Sequence, residues 1–299
     1  MHRGEKMDIN LLISEFLNHM EKTLRRSSNT IRAYGNDLKK FRTFLKNKGY
    51  DLAKIDTIVL QEFAAELALQ GLSSSTIHRI IYTTRGFITF LEDRKIIAHN
   101  VSRPQLPRLE RKLPEFLTFE EISRILNLPR NSPREIRDLA IVACLYYGGL
   151  RVSELCNLQM DDVWFGNPAH IRVRMGKGMK DRIVPLNEDA RLKMHDYMRI
   201  RREFVRVHTS FFFLSVRGKP LDASSIYRIV QNTARRAGIN RRIHPHVFRH
   251  SFATHLLQRG VNVRIVQDLL GHASMSTTSK YLHVGDTEKL SAVQLLSLV

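Results

Sequence analysis

Apolar residues from Leu11 to Leu24 recur at helical spacing, so the first element is predicted as a helix. Ser27 and Ser28 offer an N-cap for a second helix, which Gly49 can end. Asp56 can cap a third, closed near Gly71. Ser73 or Ser74 can cap a fourth, running through Phe87, Phe90 and Leu91. Four short-linked helices with basic faces predict a small bundle. Pro104, Pro107 and Pro114 then fall among Arg103, Arg108, Arg111 and Lys112. Closely spaced prolines disfavour helix and favour an extended linker.

From Leu117 the pattern resumes. Thr118 and Glu121 form a T-x-x-E capping box. A buried helix is predicted around Arg137–Tyr147, ended by Gly148 and Gly149. Ile171–Met175 and Arg182–Leu186 read as two strands, with Gly176-Lys177-Gly178 as the turn between them. The remainder is mostly helical, without internal repeats or low-complexity segments. The expected fold class is therefore mainly α with a small β-sheet.

Composition sharpens this picture. At 299 residues the chain is too long for one small core and suits two domains. Hydrophobic residues make up 43%, enough for packed interiors. No apolar run approaches the ~20 residues needed to cross a bilayer, and MHRGEKMDINLL lacks the apolar core of a signal peptide. Cys144 and Cys156 lie among apolar residues and read as free thiols, although a single disulfide is compatible with them. A cytoplasmic protein is expected. The charge balance is unusual: 48 Lys+Arg against 29 Asp+Glu gives +19. Residues 1–110 contribute +6 and residues 111–299 contribute +13. Such a field attracts polyanions, nucleic acid first and an anionic membrane surface second. Its spread over both halves suits two domains that both touch a long polyanion. The basic linker is then either a strap lying along DNA or a solvated loop.

Candidate chemistry begins at His246-Val-Phe-Arg249-His250. Pro245 suits a first helical turn, and Phe248, Phe252 and Leu256 recur at i+4 toward a core. His246 and Arg249 share another face. His246 and His250 have the spacing of zinc ligands, but the Glu of H-E-x-x-H is missing and Arg249 stands between them. A phosphate suits this arrangement better than a metal. Arg151 follows two glycines in Gly148-Gly-Leu-Arg-Val-Ser-Glu-Leu155, where it is placed in the first turn of a short helix. A salt bridge from it to Glu154 or Asp161 is the plain structural alternative. Lys177 sits at the presumed hairpin tip, where Lys180 and Arg182 add positive charge. Gly271 ends a helix, His272 follows directly, and Tyr281 lies among small polar residues, an odd setting for a core aromatic.

The set Arg151, Lys177, His246-x-x-Arg249, Gly271-His272 and Tyr281 resembles, in order and spacing, the signature of the tyrosine recombinase (phage integrase) family. The strings G-L-R-V-S-E-L, G-K-G-x-K-x-R, H-x-x-R-H-S-F-A-T-H-L and L-G-H-x-x-x-S-T-T-x-x-Y look like its Xer branch. The likeness covers essentially the whole chain. It implies a helical core-binding (SAM-like) domain over 1–105, a linker over 106–114 and a catalytic domain with a C-terminal tail over 115–299. The two domains would close as a C-shaped clamp on double-stranded DNA. It implies Tyr281 as nucleophile, Arg151 and Arg249 as phosphate clamps, His246 as base, His272 on a phosphate oxygen and Lys177 as acid, with no metal, cofactor or ATP. His250 is given a supporting place. The implied assembly is a tetramer on two sites, of one kind of subunit or of paired recombinases, with a DNA translocase as a possible partner. No arm-binding domain and no integron-type insertion between Lys177 and His246 is seen, which favours resolution of chromosome or plasmid dimers. A mobile-element integrase is the alternative; a binding-only relative and a zinc hydrolase are the rivals from other classes. The tail 289–299 is apolar enough to dock, either on its own domain or, as the resemblance implies, on a neighbouring subunit.

Overall fold

The computed structural model describes residues 8–97, 101–102, 104–106, 115–174, 181–271 and 286–297. The chain divides into two compact units, Met1–Lys112 and Leu113–Val299.

The first unit is built of α1 (Ile9–Lys22), α2 (Ser28–Lys48), α3 (Thr57–Leu69) and α4 (Ser74–Asp93). Each start is set locally. Side-chain oxygens of Asp8, Ser27, Asp56 and Ser73 accept backbone N–H groups that the first turn leaves unpaired. The Asp8 cap explains why α1 begins two residues before its apolar pattern. Gly49 closes α2 in the left-handed conformation. The apolar faces meet in a core rich in phenylalanine, where Phe63 packs on Phe41 and Phe44 with ring centroids 5.1 and 5.0 Å apart.

The second unit starts with α5 (Phe119–Leu126), whose Thr118–Glu121 capping box forms as predicted, with bonds of 3.0 and 3.2 Å. Then come α6 (Pro133–Tyr147), α7 (Val152–Cys156), β1 (Val163–Trp164), β2 (His170–Val173), β3 (Arg182–Pro185), α8 (Glu188–Ile200), α9 (Ala223–Arg236), α10 (Pro245–Gln258), α11 (Val263–Leu270) and α12 (Asp286–Gln294). The strands form one antiparallel sheet in the order β1-β2-β3. β1 was not foreseen. Two residues carry no readable periodicity, and Val163 and Trp164 are a strand only through pairing with Ile171 and His170. α6 starts earlier than its apolar run, because Ser132 caps it and Pro133 occupies the first turn.

α6 is the central helix, with every residue from Leu139 to Tyr147 buried. α10 packs against it, and its Phe248, Phe252 and Leu256 are wholly buried, each worth about 1.5–3 kcal/mol on removal from water. Cys144 is buried, Cys156 is half-buried, and both are free thiols. α12 packs on β3 and α11 of its own unit, burying Ala292, Val293 and Leu296. Lys289 pairs with Asp268 at 2.6 Å. In this single chain the tail is thus docked in cis.

Candidate active site

α6 delivers the chain to Gly148 and Gly149. Gly149 has φ +55°, and a Cβ there would lie 2.8 Å from the Phe252 ring and 3.0 Å from Leu270. Only glycine allows the backbone this close to α10 and α11. Its carbonyl thereby meets Arg249.

Arg249 is not on an exposed polar face, as its helical position suggested. It is 8% exposed and reaches across α10 to donate to Gly149 O at 2.5 Å and Leu270 O at 2.7 Å. Burial, followed by the nearby charge of Arg151, lowers its pKa to about 10, so it stays cationic at neutral pH. His246, one turn earlier on α10, is exposed. His250 is half-buried, its ring edge-on to Phe116.

Arg151 is the residue before α7 rather than within its first turn, with extended backbone at φ −73°, ψ 152°. Its main-chain N–H donates to Glu154 Oε2 at 2.8 Å. Its guanidinium donates to Glu154 Oε1 at 2.7 Å and Gly271 O at 3.2 Å. The salt bridge to Glu154 is therefore real, but a third of the Arg151 side chain remains exposed.

Arg182 is not a free positive charge. Only 9% exposed, it grips Glu154 with both Nη atoms at 2.8 Å and donates Nε–H to Leu269 O at 2.9 Å. Burial alone would raise the Glu154 carboxyl, but hydrogen bonds and charge from Arg182, then from Arg151, hold it down to about 2. The carbonyls of Leu269, Leu270 and Gly271 thus accept from Arg182, Arg249 and Arg151 in turn. These belong to the unpaired C-terminal carbonyls of α11, where the helix dipole is negative. Gly271 caps the helix at φ +64°.

Asp162, 2% exposed, holds Arg172 at 3.2 Å and Arg174 at 2.6 Å. It ties the end of β2 to the segment after α7. Nothing in the sequence pattern marked this carboxylate, because its partners are ten and twelve residues away on another element. Lys177, His272 and Tyr281 lie outside the described residues. Among the described residues, no three His, Cys, Asp or Glu side chains gather as metal ligands would. No helix among them is long and apolar enough to cross a membrane.

The network carries a pH prediction. The Glu154 pKa is lowered on folding, so its stabilisation is fully present above about 4.5 and is lost as pH falls toward about 2. Glu154→Gln is expected to destabilise the second unit by about 3 kcal/mol at pH 7, since two arginines lose their carboxylate. The gap to the native chain should narrow below pH 4. Denaturant titrations from pH 2.5 to 7 measure it; a pH-independent gap contradicts this account.

Two family models match: "Phage integrase, N-terminal SAM-like domain" over residues 13–95 and "Phage integrase family" over 115–288. A tyrosine recombinase of Thermosipho africanus is 38% identical over 292 residues, covering 95% of this chain and 98% of that protein. Tyrosine recombinase XerD of Staphylococcus haemolyticus is 36% identical over 284 residues, covering 93% and 95%. The solved XerH site-specific recombinase bound to a palindromic difH substrate, at 22% identity, superposes with a TM-score of 0.70 over 98% of this chain and 87% of that one, a likeness of fold. With both models matched and the relatives covered nearly end to end, the chain belongs to the phage integrase family of tyrosine recombinases, enzymes that cut and rejoin DNA at specific sites.

Proposed function

We propose that Arg151 and Arg249 hold the scissile phosphate of duplex DNA for attack by Tyr281. The observation that carries this reading is their convergence: two guanidiniums from α10 and the start of α7 meet on adjacent carbonyls, Leu270 and Gly271. Those bonds fix the planar donors, and Arg151 keeps exposed surface for a ligand. Paired guanidiniums are matched to the non-bridging oxygens of a phosphodiester, where charge accumulates during in-line attack.

In the proposed step the Tyr281 phenolic oxygen bonds to phosphorus and the bond to the 5′-oxygen breaks. His246 takes the phenol proton, Lys177 gives one to the departing 5′-oxygen, which leaves as a hydroxyl, and His272 bonds a phosphate oxygen. The product is a 3′-phosphotyrosine, so the bond energy is kept and a 5′-hydroxyl can reverse the step. The two units would close on the duplex as a clamp, and four subunits would join two sites. The role is Xer-like: resolving chromosome or plasmid dimers on the nucleoid in the cytoplasm. Similarity to relatives named XerD and coverage of nearly their whole length support that role.

The test is a nicked duplex that traps the cleaved strand. A protein–DNA adduct stable to denaturant, formed in the presence of a chelator, is expected; absence of the adduct on every candidate site would overturn the proposal. DNA affinity should also fall steeply with salt. If about ten phosphates are contacted, the log–log slope is near −9. A flat response contradicts a basic interface on both units.

A further inference from the structure

Three arginines serve the three carbonyls at the end of α11, yet they differ in what they can still do. Arg151 is a third exposed, whereas Arg182 is 9% exposed. The Arg182 fork is turned inward, with Nε on Leu269 O and both Nη atoms on Glu154. Its aliphatic part lies against Gly271, where a Cβ would come within 3.0 Å of Arg182 Cδ. Arg182 is therefore built into the floor of the site rather than turned toward a substrate.

We propose that Arg182 is a positioning residue for the cleavage reaction, which keeps the charge of Arg151 available to the phosphate by satisfying Glu154. The inference rests on the reading of Arg151 as a phosphate clamp. Glu154 accepts from the Arg151 main chain and side chain while it is held by Arg182. With Arg182 present, the carboxylate already has a counter-ion, and the second guanidinium retains its attraction for an anion. Without Arg182, Glu154 takes Arg151 as its only partner in this network. The Arg151 guanidinium is then drawn down onto the carboxylate, and its charge is cancelled where the phosphate needs it. The tie to Leu269 O acts in the same direction. It fixes the last turn of α11, whose capping carbonyl, Gly271 O, orients Arg151.

The test uses the full chain and single-turnover cleavage of a nicked duplex by Arg182→Gln, Arg182→Lys, Arg151→Ala and the Arg151→Ala/Arg182→Gln double variant. Thermal melts and DNA-binding titrations accompany them. Arg182→Gln is expected to cleave about a hundredfold more slowly, with a DNA Kd within about twofold of the native value, because the loss is in the chemical step. Arg182→Lys should lose less, since it keeps the counter-charge. The double variant should be no slower than Arg151→Ala alone, because Arg182 acts through Arg151. A purely structural role would instead add its loss to that of Arg151→Ala. Additive losses, near-native cleavage by Arg182→Gln, or unfolding of both Arg182 variants would each overturn the inference. Native-rate cleavage by Arg151→Ala would sink the phosphate clamp itself; an impaired Arg151→Ala beside an active Arg182→Gln sinks only the positioning role.

Discussion

Replacing Tyr281 by phenylalanine is expected to leave DNA binding unchanged and to abolish the covalent protein–DNA adduct. The substitution removes one oxygen and nothing else. Phenylalanine keeps the ring, so packing and charge are preserved, and the basic character that drives association is untouched. The +19 formal charge lies in lysine and arginine side chains of both halves. What disappears is the only atom that joins phosphorus in the proposed step. The measurement pairs a native gel for binding with a denaturing gel for the adduct, on the same nicked duplex. A DNA-linked band from the Phe variant would show that another residue is the nucleophile. Loss of binding as well would point to a packing role for the ring.

Arg249→Lys is expected to slow cleavage at least about a hundredfold, the loss seen when one fixed transition-state donor is removed, although the charge is conserved. Arg249 already directs two N–H groups at carbonyls from two different segments, Gly149 and Leu270. In the proposed role it must also keep donors for a phosphate. A guanidinium has five N–H donors in a rigid plane and can do all of this at once. An ammonium has three donors at one point and is more strongly hydrated, so its burial at an 8% exposed position is costlier. The lysine variant therefore faces a choice between the carbonyls and the substrate. Single-turnover rates on the nicked duplex decide it, with a thermal melt to show that the fold persists. A near-native rate would show that Arg249 braces α10 against α11 and does not clamp the phosphate.

Local interactions are the part of this molecule that its sequence determined. The caps at Ser27, Asp56, Ser73 and Thr118 each bond an N–H three residues ahead, so the pattern of a few letters contains the whole interaction. The glycines at 49 and 271 end helices for an equally local reason, their left-handed backbone. The order and spacing of Arg151, Lys177, His246, Arg249, His272 and Tyr281 were legible as a resemblance to one family, and the matched family models show that family. Only the tertiary structure decided how the arginines are used. A backbone carbonyl has no letter of its own, so no pattern could show Leu269, Leu270 and Gly271 as the acceptors of three guanidiniums. Glu154 and Arg182 are 28 residues apart, and Arg151 and Gly271 are 120 apart. Such pairs exist only after α6, α7, β3 and α11 have packed. The same reason hid Asp162 with its two arginines, the two-residue strand β1 and the cis docking of α12. Each depends on a surface supplied by another part of the chain, and burial there turned Arg249 from an apparent surface cation into a buried, doubly anchored one.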